Sequence, residues 1–305
     1  MRKQRGVAVL VALVVLAICA SLAASMLWDR NLDVRRTANI LYLDQAREYA
    51  LGAEAWAEQI LRRDLQNSQT DTLGEKWATQ LPALPIEGGA LTGRLIDAQG
   101  LFNLNSLVDA KGKRNAAAFA QFQRLLVALQ IKPDIAAAVT DWIDADPTPI
   151  FPGGGEDEYY AALQVPYLAA DQPMTSVSEL LLVKGVSYDD YQKLLPYVAV
   201  LPDSTATINV NTAPWPVIMS LAPNISPAQA QQLVAQRGPN GFQSIAQFQS
   251  LLTQRVAAAG IGLASQFFRL TASVKIGSSQ LTMYSLLERD RTGATHCIRR
   301  TFGTL

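Results

Sequence analysis

Acidic side chains are concentrated around one loop, DWIDADPTPIFPGGGEDEYY, at residues 141–160. Three aspartates precede a segment rich in proline and glycine, and three further acids follow it: Asp141, Asp144, Asp146, Glu156, Asp157 and Glu158. Carboxylates this close repel one another unless a positive charge offsets them, and hard cations such as calcium bind several carboxylate and carbonyl oxygens together. We therefore predict a bound calcium ion, with Asp144, Asp146, Glu156 and Asp157 as its candidate ligands.

Two other interpretations of this loop stay open. The acids also fit a solvated rim without a metal, and a pair of carboxylates is the catalytic apparatus of glycosidases. The rest of the chain does not support a hydrolase: its one histidine, His296, lies among basic residues and forms no Ser/His/Asp grouping. The ligand register of an EF-hand is absent as well. We predict that the chain is not an enzyme.

The composition of the chain limits the classes of partner and metal site that are expected. The 305 residues include 26 basic and 26 acidic side chains, so the electrostatic basis of non-specific nucleic-acid binding is missing. The two cysteines, Cys19 and Cys297, lie at opposite ends of the chain, and with one histidine they supply no ordinary zinc site. Any metal is expected to be held by oxygen.

The N-terminus predicts a membrane anchor. Arg2, Lys3 and Arg5 precede Gly6, and no charge follows until Asp29. Residues 7–28 are long enough to cross a bilayer core of about 30 Å as a helix. The basic flank should stay in the cytoplasm, which places the chain beyond residue 28 on the other side of the membrane. A cleaved secretory signal peptide is the alternative, because small residues occur at 20–25 (ASLAAS).

The apolar segment continues into an amphipathic one at residues 29–66. Leu32, Ile40 and Leu43 begin a series of apolar residues with roughly helical spacing, and Gly52 is its only glycine. Residues 7–65 therefore read as one helix on the order of 90 Å long, half in lipid and half outside it. We predict that Val11, Leu32, Ile40 and Leu43 contact partner helices.

Strand patterns occur near both ends of the remaining chain. Residues 90–100 predict one strand, 267–277 and 281–290 predict a hairpin, and HCIRRTFG at 296–303 predicts an edge strand. The fold class is therefore α+β: a long N-terminal helix packed on a small antiparallel sheet made from residues 67–102 and 262–305. Residues 103–261 form a large inserted domain that is predicted to be all-helical.

The inserted domain carries a weak internal repeat, LFNLNSL at 101–107 and TINVNTA at 207–213. The first Asn and the Ser or Thr of each copy are typical helix-capping residues. The segment that follows the second copy is similar to helix-hairpin-helix modules that bind DNA. Residues 209–249 contain Arg237 as their only cation, so we favour packing over DNA binding and predict no nucleic-acid partner.

The N-terminus resembles that of type IV pilins and pseudopilins, with a short basic leader, residues 1–6, ending in Gly6. The resemblance implies that a prepilin peptidase cuts after Gly6 and that the new N-terminus, Val7, is methylated. Members of the class usually carry a glutamate at the fifth mature position, which is Val11 here. An unpaired carboxylate in the bilayer is unfavourable, so an apolar residue there suits a subunit at the tip of the fibre.

Further motifs narrow the resemblance to the type II secretion minor pseudopilins of the general secretion pathway protein K family. They are the acidic loop, LIDAQGLFNLNSL (95–107), PMTSVSELLLVKGVS (173–187) and TINVNTAP (207–214). The resemblance implies a pilin-like fold, bound calcium in the inserted domain, and a tip complex with the minor pseudopilins I and J that nucleates or caps the pseudopilus. It also implies an inner-membrane anchor with the bulk of the chain in the periplasm. A DNA-binding subunit of a competence pilus is the alternative.

Overall fold

One helix dominates the N-terminal part of the protein. The computed structural model describes residues 4–80, 82–252, 256–257 and 260–303, so the first three residues of the predicted leader lie outside it. Helix α1, Gln4–Asn67, joins the charge-free segment to the amphipathic one without interruption. No proline occurs within it, and Gly52 is tolerated because a single glycine weakens a helix by only about 1 kcal/mol. The prediction of one continuous helix is confirmed.

The C-terminal half of α1 packs on a sheet through small side chains. Ala46, Ala50, Ala53 and Ala57 are buried, and Leu61 continues the same face. Their spacing of three and four residues places them in one row, and the missing side-chain bulk lets the helix lie close to the strands. The larger apolar residues of the amphipathic segment are mostly on other faces.

The described residues form nine strands. These are β1 (Leu84–Ile86), β2 (Gly89–Asp97), β3 (Phe102–Asn103), β4 (Val198–Ala199), β5 (Ile208–Asn209), β6 (Ile261–Gly262), β7 (Phe267–Ile276), β8 (Ser279–Arg289) and β9 (Thr295–Phe302). Five of them make an antiparallel sheet in the order β1-β2-β7-β8-β9. The predicted sheet from the two ends of the sequence is confirmed, including its edge strand β9.

The hairpin between β7 and β8 turns at the predicted place. Ile276 pairs with Ser279, so Gly277 and Ser278 form the connection. Gly277 has φ +54°, a conformation that glycine adopts without strain, and an added Cβ would lie 2.9 Å from the ring of Tyr42 on α1. This turn therefore allows α1 to pass close to the end of the sheet.

The inserted domain consists of short helices around its own apolar core. They are α2 (Ala116–Ala128), α3 (Ile135–Ile143), α4 (Asp157–Ala161), α5 (Tyr188–Leu194), α6 (Trp215–Ser220), α7 (Pro227–Arg237) and α8 (Ile245–Ser250). The domain also contains two short parallel pairs, β3 with β4 and β5 with β6. Pairs of two residues are too short to give an alternating sequence pattern, so they were not predicted.

The two Asn-x-Asn motifs organise these parallel pairs. Asn103 caps the turn that follows it by accepting from the backbone N–H of Asn105, and Asn209 accepts from that of Asn211 in the same way. The predicted role of the hydroxyls was wrong, because Ser106 donates to the Asn103 carbonyl and Thr212 donates to Asp97 instead of accepting from the backbone. The second asparagines fasten distant segments: Asn105 accepts from Met174 N–H, and Asn211 accepts from Phe242 N–H.

A buried polar network joins the sheet to the inserted domain at Asp97, the last residue of β2. Its Oδ2 accepts from Asn209 at 2.9 Å, Thr212 at 2.6 Å and Ser265 at 2.7 Å, while Oδ1 accepts from the backbone N–H of Gln99. Burial raises the pKa of Asp97 to about 6, and the nearby charge of Asp71 adds to the increase. The structure gives this carboxyl no cationic partner among the described residues.

We expect Asp97→Asn to weaken the pH dependence of folding. The folded-state pKa lies above the unfolded value, so the folded protein holds an extra proton in the window between the two, and stability falls as pH rises through it. For this group the loss between about pH 5 and pH 7 is about 1 kcal/mol. Urea denaturation of the full chain in detergent micelles at both pH values measures it. The exposed Asp189→Asn is the control, and a wild-type slope in Asp97→Asn contradicts the assignment.

Candidate metal centre

The acidic loop folds back on itself and brings three of its carboxylates together. Asp141 lies on α3, Asp144 follows the end of that helix, and Glu156 precedes α4. Between them the chain turns through Gly154, where an added Cβ would overlap Asp141 Oδ2. The glycine therefore lets the loop backbone close over the aspartate.

The three carboxylates form one buried oxygen cluster. Asp141, Asp144 and Glu156 each offer an oxygen within 4.8 Å of the other two, and their exposed fractions are 0%, 2% and 7%. Asp144 Oδ1 and Glu156 Oε1 are buried and have no hydrogen-bond partner in the described part of the chain. Buried polar atoms are nearly always satisfied, so these two orphaned oxygens give the cluster a donor set that fits a cation.

The electrostatics of the cluster agree with that geometry. Burial raises the pKa of Asp141 to about 6, of Asp144 to about 7 and of Glu156 to about 8, and the neighbouring carboxylates add to the increase. Lys184 and Arg114 act on the cluster as cations, but Lys184 Nζ donates to the Gly154 carbonyl at 2.6 Å and lies over the ring of Tyr159, and Arg114 lies over the ring of Phe119. No salt bridge to the cluster occurs within the residues that the structure describes.

The four predicted calcium ligands fall into two pairs, one buried and one exposed. Asp144 and Glu156 belong to the buried cluster, whereas Asp146 and Asp157 are exposed at the adjoining cleft of about 470 Å³. Asp146 accepts from the backbone N–H of Thr148 at 2.9 Å, and Asp157 accepts from that of Ala169 at 2.9 Å. Both therefore have backbone donors already, and their role as ligands stays a prediction.

Two members of the site were not selected from the sequence. Asp141 belongs to the acidic loop but is not among the four predicted ligands, and the structure places it on α3. Asp171 lines the same cleft and acts electrostatically on Asp144 and Glu156, although it lies outside the loop. Its backbone has φ +48°, and its N–H donates to the Trp142 carbonyl. No local pattern around residue 171 signals this position.

A second group of acids differs from this cluster because an arginine compensates its charge. Asp64, Asp71 and Glu75 also bring oxygens within 4.8 Å of one another. Here the Arg289 guanidinium supplies the positive charge, at 2.6 Å from Asp71 and 3.2 Å from Asp64. This cluster is a buried ion pair between elements and needs no metal.

The predicted partner-contact residues of α1 are all uncovered. Val11 is 57% exposed, and Leu32, Ile40 and Leu43 are 37%, 60% and 41% exposed. Helix α1 is the one helix in the described chain that is long and apolar enough to cross a membrane, and none of its most apolar window is buried. Gly6 and Val7, the predicted cleavage and methylation positions, lie near its start.

Residues 209–249, the segment similar to helix-hairpin-helix modules, expose no cationic side chain that could bind DNA. Arg237 is the only cation in this segment, and it is buried and donates to the carbonyls of Val210 and Ala213. Its guanidinium therefore stabilises the packing of α7 on the preceding segment. The interpretation of this region as a packing unit agrees with the structure.

Comparisons with known proteins agree on one family. Two family models, both described as type II secretion system (T2SS), protein K, match residues 100–203 and 208–267. The type II secretion system protein K of Pseudomonas aeruginosa is 37% identical, covering 99% of this chain and 94% of that protein. The relative from Klebsiella pneumoniae is also 37% identical, covering 99% and 95%.

A solved structure shows the same fold. A chain in the GspK-GspI-GspJ complex of the enterotoxigenic Escherichia coli type 2 secretion system superposes with a TM-score of 0.78 at 29% identity. The match covers 88% of this chain and 100% of that one. The long helix, the sheet and the inserted domain thus belong to one recurring architecture.

Proposed function

Because this chain belongs to the type II secretion system protein K family, we propose that it sits at the tip of the pseudopilus and nucleates or caps the fibre. Its role as a minor pseudopilin of that system follows from the family and the shared fold. The observation that supports the tip position is Val11, which leaves the α1 membrane segment without a carboxylate. The DNA-binding alternative has no support.

The proposed partners are the minor pseudopilins equivalent to GspI and GspJ. In the solved relative, the matching chain is found in a complex with those two proteins. On this chain, Leu32, Ile40 and Leu43 form an apolar surface that none of its own described elements covers. The α1 helices of the partners would bury this surface, because the burial of apolar area is the main driving force for association in water. Within the membrane, the same helices would pack against Val11.

Processing and location complete the proposal. We expect prepilin peptidase to cut after Gly6 and Val7 to become the methylated N-terminus, which leaves the membrane segment intact. The chain is then held in the inner membrane by α1, with the sheet and inserted domain in the periplasm. We infer no catalytic role, because the family to which the chain belongs is a component of a secretion system.

Calcium is the proposed occupant of the buried acidic cluster. Asp141, Asp144 and Glu156 would hold it, and Asp146 and Asp157 would contribute from the adjoining cleft. An all-oxygen donor set suits calcium, and the orphaned oxygens of Asp144 and Glu156 support a cation at this point. The ion would fix the end of α3 to the start of α4 and so stabilise the inserted domain.

The tip position predicts a specific failure of Val11→Glu. A glutamate at this position in a tip subunit has no subunit above to pair with, and an unpaired carboxylate within the bilayer costs several kcal/mol. We expect secretion by cells relying on the variant to fall at least about tenfold, at equal membrane levels of the protein.

The matched control is Val15→Glu, which puts the same charge one helical turn deeper. In a tip subunit the two variants should be equally defective, because neither carboxylate finds a partner. In a subunit inside the fibre, Val11→Glu would be tolerated much better than Val15→Glu. That second pattern in the secretion assay would contradict the tip position.

A further inference from the structure

A small cleft between the sheet and the inserted domain contains two arginines that form no salt bridge within the described residues. Arg269 on β7 and Arg299 on β9 line a cavity of about 50 Å³, together with Thr175, Val200, Tyr284 and Leu286. Side chains alternate along a strand, and Phe268 and Leu270 face α1, so Arg269 points to the opposite face, toward the inserted domain. The cleft shares no lining residue with the cleft beside the acidic loop.

The Arg269 side chain is half-buried, and no acidic side chain of the described residues forms an ion pair with it. Its Nε has no hydrogen-bond partner within the residues described. The groups that act on its charge are Tyr284, Tyr191 and a third arginine, Arg94. Burial lowers its pKa, but an arginine does not lose its proton in a protein, so it cannot neutralise itself.

Arg299 adds a second positive charge to the same cleft. One of its terminal nitrogens donates to the Val200 carbonyl at 3.1 Å, which satisfies a donor but leaves the charge in place. Glu179 acts on it from beyond salt-bridge distance and already accepts from Thr175 and Ser176. Two like charges in a low-dielectric cleft are unfavourable together, and a water molecule would supply an acceptor but no opposite charge.

We propose that this cleft between β7, β9 and the inserted domain binds a small inorganic monoanion of the size of chloride. The volume of about 50 Å³ has room for one such ion or one to two waters, and it excludes phosphorylated metabolites and peptide side chains with their backbone. The anion would contact Arg269 Nε and offset the charge of Arg299. It would thereby fasten the inserted domain to the sheet independently of the calcium site.

The test uses the full chain in detergent micelles with calcium supplied as its acetate. Sodium gluconate is replaced stepwise by sodium chloride at constant ionic strength, since gluconate is too large for the cavity. We expect the melting temperature to rise by about 3 °C and to reach a plateau, because a ligand that binds only the folded state stabilises it by mass action. The rise should be absent in Arg269→Met and retained in Arg291→Met, which removes an exposed arginine that does not line the cleft.

Two results overturn the site: equal melting of the wild type in both salts, or a chloride response in Arg269→Met equal to that of the wild type. Should Arg269→Met fail to fold, the line width of the ³⁵Cl resonance is measured with the wild-type protein and with Arg299→Met. Excess broadening that saturates with chloride and is lost in Arg299→Met supports the site. A line width that shows no saturable protein-dependent excess contradicts it.

Discussion

Removing calcium is expected to lower the melting temperature of the full chain by about 10 °C. At a calcium concentration about a thousandfold above the dissociation constant, binding contributes about 4 kcal/mol to folding, which corresponds to a shift of this size for a domain of this length. The reason is local: without the ion, three buried carboxylates face one another with two oxygens unpartnered. Melting in calcium, in magnesium and in EGTA measures the effect, and magnesium should not replace calcium because it requires a smaller octahedral site.

Charge-neutral variants sharpen this expectation, because they should reverse the order of stability. Asp144→Asn and Glu156→Gln keep the shape of the side chains but remove ligand charge, so both should melt below the wild type in calcium. In EGTA both should melt at or above the wild type, since the mutual repulsion that raises the pKa values of this cluster is relieved. The exposed Glu158→Gln is the control and should follow the wild type in both conditions. Identical melting of the wild type in calcium and EGTA would exclude the metal.

Much of the fold could be predicted because its signals are local. An uncharged segment that runs into a proline-free amphipathic one predicts α1, and alternation in FFRLTASVKI predicts β7 with Phe268, Leu270 and Ala272 toward the core. The packing face of α1 was harder to identify. Alanines carry little weight in a hydrophobic pattern, and they are buried here only because the sheet approaches closely at that row.

Only part of the candidate metal site could be predicted, because only part of it has a local sequence signal. Asp144 and Glu156 are close in sequence and adjoin a glycine-rich turn, so their association has a local signal. Asp171 joins them only through the path of the chain after α4, which no short pattern encodes. The arginine cleft is a stronger example, since Arg269, Arg299 and Val200 meet only when the inserted domain lies on the sheet.

The Arg289 guanidinium on β8 also connects segments that are distant in sequence. Its side chain is 2% exposed and donates to both oxygens of Asp71, at 2.6 and 2.7 Å, and to Asp64 at 3.2 Å. Further donations to the carbonyls of Leu61 and Ser265 connect the end of α1, the segment after it and the start of β7. Burial raises the pKa of Asp71 and raises that of Asp64 to about 7, so both carboxylates depend on the arginine to stay charged.

We therefore expect Arg289→Met to destabilise the protein by about 3–5 kcal/mol, because removing one partner of a buried ion pair leaves the other charge uncompensated. Urea denaturation of the full chain in micelles, followed by tryptophan fluorescence, measures the loss; Trp77, which packs on Phe268 beside Arg289, reports on this region. Arg291→Met, which removes an exposed arginine two residues further on, should change stability by less than about 0.5 kcal/mol.

The double variant Arg289→Met/Asp71→Asn should lose less stability than the sum of the losses of the two single variants, since the orphaned carboxylate is then neutral. Simple additivity of the two changes would show that Arg289 acts through packing alone, and α1 would then be held to the sheet by its alanine row without help from this charge.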